Sequence, residues 1–338
     1  MCTGFIIKDT MAEKHFPYEI KNVTEEEDKL VKQYYKGYIR PFIRVGPHGH
    51  FSMAGYGDHA AEIYNLEVRP DDIWVLAFSR SGTTWLQELV WLLKNNLDYD
   101  GAANTLLTKR FAFIEYPTMS SEINQGPPPS GKSGQATVDD FSNLHTLPSP
   151  RFIKTHLPLS LLPPTLLDTA KVFYIARDPR DVAVSFHFMH KLFRYFDEGV
   201  QFTEFWELFK KDLLLHMPIF PHIEEAWEKR DHPNMTFVFY EEMQKDLRGV
   251  IDKVSLVLGK EYTDEQKDKL AEHLNFNNMK KSSAFKFGKD DKDSEIKFMR
   301  KGLSGNWVKY FNTDQLKREA EEYMEKHLNK TSLRFPEA

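Results

Sequence analysis

Ile73-Trp74-Val75-Leu76-Ala77-Phe78 is an unbroken apolar run, and Ser79-Arg80-Ser81-Gly82-Thr83-Thr84-Trp85 follows it directly. The run is of strand length and is entered through Arg69-Pro70-Asp71-Asp72. With no polar alternation, it reads as a strand buried on both faces of a parallel sheet. From Thr84 to Lys94, the residues Trp85, Leu86, Leu89, Val90, Leu92 and Leu93 fit a helix that packs on both sides. Ser79 to Thr83 is then a tight loop between strand and helix. Backbone amides at the start of such a helix form an anion site, strengthened by the helix dipole. A nucleoside-triphosphate loop of the form G-x-x-x-x-G-K-[ST] would need a glycine at Ala77 and a lysine at Thr83, which speaks against ATP hydrolysis. Arg80 supplies positive charge on the other side of Gly82, and Thr83 and Thr84 add hydroxyl donors, which suits a phosphate that is held rather than cleaved. Taken alone, Ser-Gly-Thr-Thr is more often a capped helix start.

The same order recurs downstream. Lys171 to Ala176 leads into a helix from about Pro179, and Met235 to Tyr240 into a helix from about Glu241. Strands alternating with helices predict a single α/β domain with a central, mostly parallel sheet flanked by helices. A further strand, Arg151 to Thr155, ends at His156 and Pro158 and so places polar side chains at a strand's carboxyl end, where open α/β sheets bind ligands. Residues 1–70 are mixed and read as an N-terminal extension packing on an α/β domain of residues 71–338. Within the extension, a helix is expected around Thr24 to Lys36, its Thr24-Glu25-Glu26-Glu27 start fitting a capping box. The stretch Gln125 to Gly134 is too rich in Pro and Gly for a packed element; it is either a mobile loop over the site or an inert surface excursion.

A chain of 338 residues can bury a large core, and 41% hydrophobic with 28% charged residues is ordinary globular composition. A formal charge of −5 argues against a general nucleic-acid binder, so any anion site must be local. Cys2 is the only cysteine, which excludes an intramolecular disulfide and fits a reducing compartment. No signal-peptide pattern follows Met1, and no apolar stretch reaches membrane-span length, so the cytoplasm is the expected location. The sequons at Asn22, Asn234 and Asn329 are then without meaning.

Ala77 to Trp85 resembles the phosphosulfate loop of the cytosolic sulfotransferases, T-Y-P-K-S-G-T-T-W, with Ser79 for the proline and Arg80 for the lysine. Lys154-Thr155-His156-Leu157-Pro158 is similar to that family's K-T-H-L-P. Arg177-Asp178-Pro179 through Ser185 resembles its 3′-phosphate segment. Phe298-Met299-Arg300-Lys301-Gly302 through Trp307 is similar to its F-M-R-K-G-x-x-G-D-W, with Asn306 for the aspartate. These motifs occur in the family's order from about Ile73 to Trp307.

The resemblance implies a P-loop-like loop and 3′-phosphoadenosine 5′-phosphosulfate (PAPS) as co-substrate, with 3′,5′-phosphoadenosine (PAP) as product. It implies that Ser81, Gly82, Thr83 and Thr84 hold the 5′-phosphosulfate, and that Arg177, Ser185, Arg300, Lys301 and Gly302 hold the 3′-phosphate. Trp85, Tyr240 and Phe276 would surround the adenine. His156 would act as general base, with Lys154 and Arg80 stabilising the departing phosphate; no metal is required. The partner would be a small organic hydroxyl or amine compound, with neither nucleic acid nor membrane involved. His187 and His190, with Phe186, Phe188, Phe111 and Phe113, are candidates to line its pocket.

The opening region, with Arg44-Val45-Gly46-Pro47, resembles insect sulfotransferases related to a retinol dehydratase, which sets elimination through a transient sulfate ester beside simple transfer. A P-loop nucleotide kinase, disfavoured by Thr83 in the lysine position, and a noncatalytic nucleotide-binding module are the rival readings. Val308, Asn312, Thr313 and Lys317 stand where the family's dimer motif would lie, so no dimer is expected through that contact.

Overall fold

Among the residues that the computed structural model describes (15–120, 141–285 and 298–337), the strands form two sheets. β1 (Ile20–Asn22), β2 (Ile43–Val45) and β3 (His50–Ser52) make a small antiparallel sheet. β4 (Ile73–Leu76), β5 (Ala112–Phe113), β6 (Phe152–Thr155), β7 (Lys171–Ala176) and β8 (Met235–Phe239) make the central sheet, in the order β5-β6-β4-β7-β8. Every pairing in it is parallel. The Gln125 to Gly134 stretch lies outside the described residues.

β4 is central because its side chains alternate between two cores. Trp74, Leu76 and Phe78 face one, with Val31, Tyr35, Phe42 and Phe51 of the N-terminal segment. Ile73, Val75 and Ala77 face the other, with Leu86, Leu89, Val90 and Leu93 of the helix Thr83–Lys94. This double burial explains the unbroken apolar run. The N-terminal segment is tied in through its backbone as well: Phe51 N donates to Met217 O (2.7 Å) and His216 N to Phe51 O (2.9 Å).

Some element boundaries differ from the sequence expectation. The acidic helix starts under the expected Thr24–Glu27 capping box but covers only Glu25–Val31. The chain turns there, which carries Tyr35 into the core, where it packs on Phe42 and bonds His190. β6 starts at Phe152, and the helix after β8 starts at Tyr240 rather than Glu241. The small antiparallel sheet was not expected.

The topology places the site. From β4 the chain moves to the β5-β6 side of the sheet, then crosses back to β7 and β8. The crevice where the order reverses opens at the carboxyl ends of β6, β4 and β7, the usual ligand position in such sheets. At the opposite end, Arg151 makes a bidentate pair with Asp72 (Nε–Oδ1 2.8 Å, Nη2–Oδ2 2.5 Å), locking the entries of β6 and β4 together. Both side chains are at most 1% exposed. Asp72→Asn leaves a buried guanidinium without its counter-charge, so unfolding in urea should show a stability loss of about 3–5 kcal/mol; an unchanged midpoint would contradict this account.

Candidate active site

The turn after β4 is built for backbone amides to face outward. Arg80 and Gly82 take left-handed conformations (φ 70° and 107°), and Gly82 caps the helix Thr83–Lys94 by accepting from Trp85 N (2.9 Å) and Leu86 N (3.1 Å). A Cβ at Gly82 would stand 2.6 Å from the Tyr240 ring and 3.0 Å from Ile175, so glycine is required for space as well as for φ. Ser81 N is occupied by Phe78 O (3.2 Å), which leaves the first helical amides, at Thr83 and Thr84, as the free donors.

Three guanidinium groups converge beside this turn. Arg80 Nε donates to Ser185 Oγ (3.0 Å) and its Nη2 to Phe298 O (2.7 Å). Arg177 donates to Leu303 O (2.9 Å) and lies over the Tyr240 ring at 4.2 Å. Arg300 donates to Tyr310 Oη (2.9 Å) and lies over Phe188 at 4.6 Å. Burial, with the charges of Arg177 and Arg300, pushes Arg80 down to about 10. None of the three forms an ion pair with a described carboxylate. Arg177 Nε, Arg300 Nε, Ser81 Oγ, Ser304 Oγ and Trp85 Nε1 are buried without a hydrogen-bond partner. Repelling cations beside orphaned donors fit a multiply charged anion. Lys301, on the same loop, is exposed.

The aromatic residues stand next to this cluster. Trp85 meets Tyr240 edge-to-face at 5.5 Å, and the backbone of Gly302 lies against Phe276, where a Cβ would come within 2.2 Å of the ring. The loop carrying Gly302 is held by Gln244, which donates to Gly302 O and accepts from Ser304 N (2.9 Å). Asp181 pins its end by accepting from Gly305 N (2.6 Å) and Trp307 N (2.9 Å). Asn306 is buried, with its Nδ2 unpartnered.

Across the crevice, His156 Nδ1 donates to Ala77 O (2.7 Å), so the imidazole presents Nε2 as its lone-pair nitrogen. Burial, then the charge of Lys154, holds its pKa well below the usual histidine range. Lys154 Nζ lies 3.8 Å over the Phe113 ring, and the same ring meets His156 edge-on at 5.5 Å. Lys154 in β6 and His156 just past its end lie on one face, as their i, i+2 spacing along the extended chain requires.

Sequence reading missed three neighbours. Glu115 accepts from the backbone amide of His156, His222 Nε2 donates to His156 O (3.0 Å), and the His216 ring lies 5.3 Å from that of His156. Of the pocket candidates, only Phe113 touches His156 and Lys154. His190, Phe186 and Phe111 are core residues: His190 bonds Tyr35 and the Phe186 carbonyl, and Phe111 packs on Phe152. His187 packs among Phe188, Phe202 and Phe205.

An anion cradle on a parallel sheet, flanked by aromatic rings and faced by a neutral imidazole, defines a nucleotide-dependent group-transfer enzyme. The chain belongs to the sulfotransferase domain family, which matches residues 70–332. It is a PAPS-dependent sulfotransferase acting on small acceptors, and the orphaned donors above suit that multiply charged nucleotide. It is 32% identical to luciferin sulfotransferase of Photinus pyralis over 86% of this chain and 81% of that protein. It is also similar to retinol dehydratase in complex with retinol and PAP, at 37% identity and a TM-score of 0.85, over 95% of this chain and 99% of that one. The same holds for retinol dehydratase with androsterone and PAP, at 36% identity, a TM-score of 0.83 and equal coverage.

His50, His156, His190, His216 and His222 are all buried, with pKa values held low, chiefly by burial. Their folded values lie below the unfolded one, so the stability they carry is complete above an unfolded pKa of about 6.5 and is lost as pH falls below it. Unfolding free energy from urea titrations should fall as pH drops from about 6.5 to 5, by up to about 1.4 kcal/mol per pH unit for each histidine that stays neutral. A free energy independent of pH over that range would refute the neutral cluster.

Proposed function

We propose that His156 is the general base, its free Nε2 taking the proton of an acceptor hydroxyl as the acceptor oxygen attacks sulfur. The new sulfur–oxygen bond forms as the bond from sulfur to the bridging oxygen breaks, leaving the negative charge on the departing 5′-phosphate. Lys154 and the amides at Thr83 and Thr84 meet that charge. Arg80 stabilises the same charge, Arg177, Ser185 and Arg300 hold the 3′-phosphate, Trp85, Tyr240 and Phe276 surround the adenine, and the Gly302 backbone with Lys301 closes the loop over it. The observation that carries this reading is the bond from His156 Nδ1 to Ala77 O, which fixes the tautomer that a base needs.

His156→Ala should lower kcat by about 100-fold or more while leaving PAP affinity, measured by titration calorimetry, unchanged. A kcat within a few-fold of the unaltered enzyme would remove His156 from the role.

The acceptor belongs to the same proposal. Likeness to a protein solved with retinol and with androsterone, together with the apolar Phe113 wall beside His156, favours an apolar alcohol of retinoid or steroid size. The same likeness favours a second reading, in which the sulfate ester is an intermediate and elimination follows. With an allylic alcohol as acceptor, a stable sulfate ester in the product mixture supports transfer alone, and an anhydro product supports elimination.

The proposal places the enzyme in the cytoplasm, without a nucleic-acid or membrane partner, on the strength of its −5 charge and lone cysteine. No described helix is long and apolar enough to cross a membrane. Thr313 caps the helix Asp314–Leu328, bonding Leu316 N (3.2 Å), and no dimer is proposed through that segment because Val308, Asn312, Thr313 and Lys317 stand at the family's motif positions.

A further inference from the structure

Glu115 belongs to none of the matched motifs, yet it is 2% exposed and lies against the catalytic strand. The bond from Ile114 N to Lys154 O (3.3 Å) extends the β5–β6 ladder and carries the next residue, Glu115, to the end of β6. Thr118 then fixes the turn by donating its amide (3.1 Å) and its hydroxyl (2.7 Å) to Glu115 O. One carboxylate oxygen accepts from His156 N, and the other is buried without a hydrogen-bond partner. Lys154 is the neighbouring cation, beyond ion-pair contact: its Nζ sits 3.8 Å over the ring of Phe113, which pairs with Lys154 and precedes Glu115 by two residues, and its charge pulls the Glu115 carboxyl down.

The remaining charged and titratable neighbours are Tyr56 from the helix Ala54–Tyr64, Arg80 from the β4 loop, and the imidazoles of His156 and His216. None of these supplies Lys154 with a negative charge at neutral pH, and Arg80 repels it. A buried ammonium facing another cation sheds its proton unless an anion stands beside it. Burial pushes Glu115 up and Lys154 down, and the charge of each offsets the shift of the other.

We propose that Glu115 is a positioning residue of the transfer reaction, its carboxylate fixing the His156 backbone and serving as the counter-ion that keeps Lys154 charged. The proposal rests on the roles given above to His156 and Lys154. In this arrangement Lys154 meets the charge left on the departing phosphate only while protonated, so turnover falls on the alkaline side as Lys154 loses its proton.

The test is the pH profile of kcat for Glu115→Gln, which keeps an acceptor oxygen for His156 N and removes the charge. Its alkaline limb should move to lower pH by about one unit. At a pH on that limb kcat should fall by about tenfold, converging with the unaltered enzyme at more acidic pH. An unmoved limb, or an equal loss of kcat at every pH, would overturn the proposal. Lys154→Arg in the otherwise unaltered chain provides a measurement that does not depend on Glu115→Gln folding. Arginine does not titrate in this range, so the alkaline limb should vanish; a limb persisting at the same pH would also overturn the proposal. If instead His156→Ala and Lys154→Ala turn over normally, the underlying reading fails. An unmoved Glu115→Gln limb with both of those variants impaired removes Glu115 alone.

Discussion

Arg80, Arg177 and Arg300 are drawn into one place without a carboxylate in ion-pair contact among the described residues, and the architecture around the site follows from how that repulsion is tolerated. Each guanidinium is bound to a neutral acceptor: Arg80 to Ser185 and the Phe298 carbonyl, Arg177 to the Leu303 carbonyl, and Arg300 to the Tyr310 hydroxyl. Each also lies over an aromatic face, Phe298, Tyr240 and Phe188 in turn. Carbonyls and ring faces stabilise a cation without cancelling its charge. The nearby carboxylates are used elsewhere, Asp178 by Arg180 and Asp181 by the amides of Gly305 and Trp307. The positive field is therefore left for a ligand.

The parallel register lets segments far apart in the chain meet on this field. Leu76 pairs with Thr155 on one side and with Tyr174 on the other, so the chain leaves β4, β6 and β7 at one edge of the sheet. The β4 loop then meets His156 through a single hydrogen bond, from Nδ1 to Ala77 O. That bond orients the imidazole and fixes its tautomer against the same backbone that presents the free amides, so the anion cradle and His156 cannot drift apart independently. His222 repeats the device one layer deeper: it donates to His156 O, and its other nitrogen faces the Tyr174 hydroxyl at 2.7 Å.

What the sequence made legible were features with local causes. The β4 run is apolar throughout because it is buried on both faces, and β7 with the Pro179 helix start could be read to the residue from its own apolar run and its Asp-Pro cap. The small antiparallel sheet was not legible. Its strands are only three residues each, too short for period-two alternation to stand out, and their pairing is fixed by contacts with residues 216–217. Glu115 was hidden for a similar reason. Its partners are 39 to 41 positions away, on a strand whose neighbour is set by topology, and β5 itself has two residues. The histidines were misjudged by type: His190 drew attention as a pocket candidate, whereas it is a core side chain and His222 and His216 are the ones that face His156.

The two departures from the family pattern gain a physical meaning together. Arg80 stands where the pattern has lysine, and its planar fork reaches Ser185 Oγ and the Phe298 carbonyl at once, which ties the β4 loop to the segment leading into Arg300. A lysine is a single flexible point charge with no fixed fork for both. Asn306 stands where the pattern has aspartate, and its side chain is buried with Nδ2 unpartnered, while Asp181 makes the bonds that pin the Gly305–Trp307 turn. The loop is thus held at its start by a guanidinium from the cradle and at its end by a carboxylate from the Pro179 helix. Burial raises the Asp181 carboxyl above its ordinary range, and the amides of Gly305 and Trp307, with the charge of Arg177, offset part of that shift.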